Sequence, residues 1–75
     1  MKSLAIDTAE QVFEQRKNVC LERGEFIFEA GQTETWLNSP VRALGFRTPA
    51  SLLDSKDGYQ LVLNTLGQIE AGIIS

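Results

Sequence analysis

Nucleophilic catalysis needs a serine, cysteine or threonine beside a base, most often histidine. This chain has one cysteine, Cys20, and no histidine. Cys20 lies among apolar residues at helical spacing, so it reads as a packing thiol. Two carboxylate pairs are spaced for acid–base work, Glu10 with Glu14 and Asp54 with Asp57. The first reads as solvated helix surface. The second sits beside a helix start, where negative charge stabilises the helix dipole anyway. A structural zinc site takes four Cys or His ligands, and the chain offers one. Gly45-Phe46-Arg47-Thr48 lacks the glycine spacing of a phosphate-binding loop. The expectation is therefore a protein without catalytic residues, metal or cofactor. The remaining chemistry is that of contact. Trp36 reads as a core anchor, or else as an interface hot spot. Arg47 can take a partner carboxylate or lie in solvent. Gly58 and Gly67 fall inside a helical pattern, which points to close backbone approach between helices or to a partner.

The elements that must hold these residues are helical. The pairs Ala5-Ile6, Val12-Phe13, Val19-Cys20 and Phe26-Ile27 follow one another at seven-residue intervals, one stripe of a helix. Arg16, Lys17 and Arg23 interrupt that stripe. Asp7 or Thr8 can cap its start. The pattern predicts a long helix near 8–30, bent or broken near Gly24 and ended by Gly31 in a left-handed position. A short helix near 33–38 carries Trp36 and Leu37 and stops before Pro40. Residues 40–48 read as a loop pinned to the core by Val41, Leu44 and Phe46. Thr48-Pro49 opens a helix near 49–54, with Thr48 as cap and Pro49 where no N–H is needed. Ser55 caps the last helix, near 56–71, whose Tyr59, Val62, Leu66, Ile69 and Ile73 recur at alternating three- and four-residue spacing. The fold class predicted is all-α, a small helical domain of about four helices with one long N-terminal helix. Trp36, Leu44, Leu53, Val62, Leu66 and Ile69 are its predicted core.

Seventy-five residues bound the chain to one small domain. Ten acidic residues against seven basic ones give a net charge of −3. A nucleic-acid-binding domain of this size is usually basic on one face, so nucleic-acid binding by this chain alone is disfavoured. One cysteine makes no intramolecular disulfide. The longest apolar run, Phe26-Ile27-Phe28, is far too short to span a membrane, and no signal peptide is visible. A cytoplasmic protein is expected.

The order of residues is similar to a known family. The run Trp36-Leu37-Asn38-Ser39-Pro40, then Ala43-Leu44-Gly45, Arg47-Thr48-Pro49, Leu52-Leu53, Gly58, Val62, Leu66, Ile69-Glu70 and Gly72 resembles the toxin-binding domain of Xre/MbcA/ParS-type antitoxins. Phe46 departs from the pattern, which often has a second glycine there. The resemblance covers roughly residues 26–75, and it implies an all-helical domain that binds and neutralises a cognate toxin. Such toxins include RES-type and related ADP-ribosyltransferase-like enzymes that consume NAD or modify targets with it. Family members often carry a helix-turn-helix domain ahead of this region. Residues 1–25 have room for one helical segment and not for a complete helix-turn-helix domain. The chain is accordingly expected to be a minimal antitoxin, a stand-alone relative or a shortened piece.

Two other classes stay open beside that reading: a helical DNA-associated regulator and a general protein-interaction adaptor. Part of the long helix's stripe is expected to serve a homodimer, or else to fold back on the last helix. The candidate partner-binding residues are Arg47, Gln68, Glu70, Ile73, Ile74 and Ser75. An apolar tail ending in a carboxylate suits a cleft that normally receives an anionic dinucleotide, because guanidinium groups grip carboxylates and phosphates alike. The expectation is that residues 68–75 plug or border the toxin's NAD site, with Glu70 as a second anionic contact.

Overall fold

A computed structural model of the chain describes residues 9–73. Three α-helices and two 3-10 helices follow in the order α1 (Ala9–Gly24), α2 (Gln32–Leu37), a 3-10 helix at Arg42–Leu44, a second at Pro49–Leu52, and α3 (Lys56–Glu70). No strand is formed among the described residues, only an isolated antiparallel bridge between Val41 and Arg47. The all-helical class holds; four helices with one long first helix do not. Among the described residues no helix is long and apolar enough to cross a membrane.

α1 ends at Gly24, where a break was expected, and it does not resume toward residue 30. Gly24 is buried, and a Cβ there would collide with the Thr33 side chain, so α2 is packed directly on this turn. Beyond it the backbone closes short turns, with Ile27 and Phe28 N–H both donating to the Gly24 carbonyl at 2.9 and 2.7 Å. These turns bring Ile27 and Phe28 onto the core and leave Phe26 82% exposed. Phe28 then meets the Trp36 ring at 5.8 Å between centroids. The seven-residue stripe therefore fails at its last pair because the core lies sideways from the helix axis. Gly31 does adopt a left-handed φ of 83°, but it opens α2 rather than closing α1.

The helix predicted near 49–54 is a 3-10 helix of four residues. Pro49 is buried at its first turn, whereas Thr48 makes no side-chain cap; instead the Ser51 hydroxyl donates to the Thr48 carbonyl at 2.7 Å. Ser55 does cap α3, accepting from the Gly58 N–H at 2.9 Å, with Asp57 in the first turn. A Cβ on Gly58 would run into the Leu52 carbonyl oxygen. That contact seats α3 against the second 3-10 helix. A Cβ on Gly67, by contrast, would meet nothing within 4 Å among the described residues, so no other element of the fold is packed closely on it there.

The buried core is Cys20, Leu37, Leu44, Leu53, Val62 and Leu66, drawn from α1, α2, α3, the first 3-10 helix and the end of the second. Trp36 and Ile69, predicted inside, are only half-buried. In α2 it is Leu37 that points inward, and Trp36 covers the rim. Arg16 and Lys17 do not merely interrupt α1. Arg16 Nη1 donates to the Leu53 carbonyl at 2.7 Å, and its guanidinium lies 5.5 Å from the Tyr59 ring centre. Lys17 pairs with Glu34 of α2 at 3.6 Å.

Candidate functional site

The C-terminal end of α3 carries three of the predicted contact residues. Gln68 and Glu70 are exposed, and Ile73 is 70% exposed. Their arrangement follows from how the helix stops. Gly72 takes a φ of 79°, its N–H donates to the Ile69 carbonyl at 3.0 Å, and the Ile73 N–H donates to the Gln68 carbonyl at 2.9 Å. This is the Schellman pattern, in which a left-handed glycine satisfies the last helical carbonyls and turns the chain off the axis. An apolar side chain is thereby presented to solvent three residues after a free carboxylate. Ile74 and Ser75 lie outside the described residues, as do the Ala5-Ile6 pair and the Asp7 or Thr8 cap.

Arg47 lies elsewhere, at the end of the Val41–Arg47 hairpin. Its side chain is exposed and has no hydrogen bond or ion pair among the described residues, and none links it to Gln68 or Glu70. The hairpin itself is closely tied. Val41 N–H donates to the Arg47 carbonyl at 3.0 Å, Phe46 N–H to the Val41 carbonyl at 2.8 Å, and Arg47 N–H to the Leu44 carbonyl at 3.3 Å. Leu44 and Val41 pin this loop as predicted, but Phe46 does not: it is 67% exposed. Gly45 and Phe46 both have positive φ, 69° and 65°. A left-handed residue at the tip of so tight a turn carries its side chain away from the core. Sequence reasoning missed Phe46 because an aromatic in a loop is most simply explained by burial. The departure from a glycine at that position was the available signal.

Cys20 is fully buried, and burial pushes its thiol up to about 11, so it is neither accessible nor ionised near neutrality. No group of three or more His, Cys, Asp or Glu side chains is placed to hold a metal among the described residues. The apolar stripe of α1 divides. Cys20 enters the core, Phe13 and Leu21 pack against it, and Val19 stays 41% exposed.

Comparison with known proteins agrees with the residue pattern. The family described as the antitoxin Xre/MbcA/ParS C-terminal toxin-binding domain matches residues 8–72. A protein named Antitoxin Xre from Photorhabdus laumondii is 48% identical over 40 residues, 53% of this chain and 27% of that protein. Another protein named Antitoxin Xre, from Yersinia enterocolitica, is 36% identical over 47 residues, 63% of this chain and 32% of that protein. The matched stretches thus span about a third or less of these relatives. No solved structure gives a significant match.

Proposed function

The chain belongs to the Xre/MbcA/ParS antitoxin family of C-terminal toxin-binding domains, and from that premise we propose that it neutralises an NAD-consuming toxin of the RES or related ADP-ribosyltransferase-like type by covering its active site. The segment 26–75 is the proposed toxin-binding unit, with α1 as the wall against which it folds. The observation that carries the reading is the end of α3. There Gln68, Glu70 and Ile73 are solvent-facing beyond a helix whose other face is core. A carboxylate beside an exposed apolar side chain is matched to a cleft with cationic donors for a diphosphate and an apolar wall for a nucleoside. Glu70 supplies the negative charge and Ile73 the apolar plug.

The test is neutralisation in growing bacteria. The product of the gene adjacent to this chain's own is induced with and without the chain, and growth and cellular NAD are followed. The native chain should restore both. Glu70→Lys combined with Ile73→Asp should abolish the rescue while circular dichroism shows an unchanged helical fold. Full rescue by that folded double variant would place the inhibiting contact elsewhere. A toxin that leaves NAD untouched would overturn the enzyme class.

A further inference from the structure

The tip of the Val41–Arg47 hairpin is held at a cost that the fold itself does not explain. Phe46 has a φ of 65°, in the region that bulky L-residues avoid, and its ring is 67% exposed. It is not one of the half-buried apolar side chains packed on the core. Glycine would adopt this backbone without strain, and a polar residue would suit the solvent better. An observed outlier of this kind is a reason to look for a partner. Charge points the same way. From residue 35 to residue 53 the chain has no aspartate or glutamate, yet it contains Arg42 and Arg47, within a protein of net charge −3. Both arginines are exposed, and neither guanidinium has an ion pair or hydrogen bond among the described residues. Five backbone hydrogen bonds within residues 41–47 fix the backbone that carries the ring and the two arginines, so little backbone ordering entropy is lost when they are engaged.

We propose that Phe46, flanked by Arg42 and Arg47, is a preformed anchor that inserts into an apolar socket rimmed by aspartate and glutamate side chains on the toxin surface. The proposal rests on the toxin-binding reading above and adds to it a contact independent of the end of α3. Aromatic and arginine residues dominate the energetics of protein interfaces, and a fixed aromatic in a desolvated pocket is the usual centre. The arginines steer the encounter and set the orientation.

The experiment measures stability and binding on the same variants, with the purified toxin encoded beside this chain's gene as probe. Phe46→Gly relieves the backbone and removes the ring. Its melting temperature should rise by about 4–8 °C, the shift that a gain of about 1 kcal/mol gives a domain of this size, while the Kd for the toxin weakens at least tenfold, roughly the loss expected of a hot spot. Phe46→Ala should weaken binding equally without the rise in melting temperature. Arg42→Gln with Arg47→Gln should slow association, and the effect should shrink at high salt. A folded Phe46→Gly that binds as tightly as the native chain overturns the anchor. A native chain that does not bind the toxin at all overturns the toxin-binding reading itself.

Discussion

Cys20 shows how one side chain ties pH to stability. Its thiol is fully buried, and burial raises it from an ordinary 9.0 to about 11. Only the neutral form suits the core. As pH rises past 9 the unfolded thiol ionises first, so the unfolded state binds fewer protons and stability falls from about pH 9 until the folded thiol also ionises near pH 11. Below pH 9 the contribution is complete. Other groups titrate in that window, so the reading is taken against Cys20→Ala. The stability difference between the two chains, measured by urea unfolding, should narrow by about 2 kcal/mol between about pH 8 and pH 11. A difference constant with pH would mean that the folded thiol meets water. The burial of Cys20 was legible from its place on the stripe. The inward turn of Arg16 was not, because a cation at a core-facing position reads as an interruption until the Leu53 carbonyl that accepts it is located.

At the scale of elements, the two glycines of α3 have opposite expectations. Gly58 is buried beneath the Leu52 carbonyl, and a methyl group there must push two elements apart. Gly58→Ala should cost on the order of 1–3 kcal/mol, the range of overpacking. A Cβ on Gly67 meets nothing among the described residues, so Gly67→Ala should stabilise by roughly 0.5–1 kcal/mol through the helix backbone alone. Thermal melts of the two variants should move in opposite directions, and a stabilised Gly58→Ala would show that the second 3-10 helix can give way. Helical position alone gives both glycines the same role, since it does not say what lies opposite. The start of α3 was legible because Ser55, Asp57 and the Gly58 N–H interact within one turn. The break of α1 at Gly24 was legible from the glycine itself, whereas the fold-back beyond it was not, because it rests on Thr33 against Gly24 and Phe28 against Trp36, contacts that exist only after the chain has folded back. In the candidate site the same division holds. The exposure of Gln68 and Glu70 followed from α3 periodicity, whereas the outward Phe46 depends on a left-handed turn that spacing does not encode.

For the whole molecule the decisive question is whether α1 is part of the cooperative unit. A stretch resembling a binding domain over 26–75 invites the view that the first helix is an appendage. Its side chains argue otherwise. Cys20 belongs to the buried core, Arg16 donates to the Leu53 carbonyl at 2.7 Å and covers Tyr59, and Phe13 packs alongside. A hydrogen bond from a charged donor contributes about 1.5–3 kcal/mol, and a domain of this length has only about 4–11 kcal/mol in all. The Lys17–Glu34 pair is largely exposed and adds little. Arg16→Met keeps the apolar stem and removes the donor, so it should lower stability by about 1.5–3 kcal/mol. Leu66→Ala, at the centre of the core, should cost about 2–5 kcal/mol. The informative readout is Trp36, which lies in α2, outside α1. If one core unfolds as a unit, the Trp36 fluorescence transition and the helical circular dichroism transition should coincide in every variant. Both should then move to lower denaturant by the same amount in Arg16→Met. If instead Arg16→Met shifts the circular dichroism and leaves the Trp36 transition in place, α1 melts separately from the rest of the core.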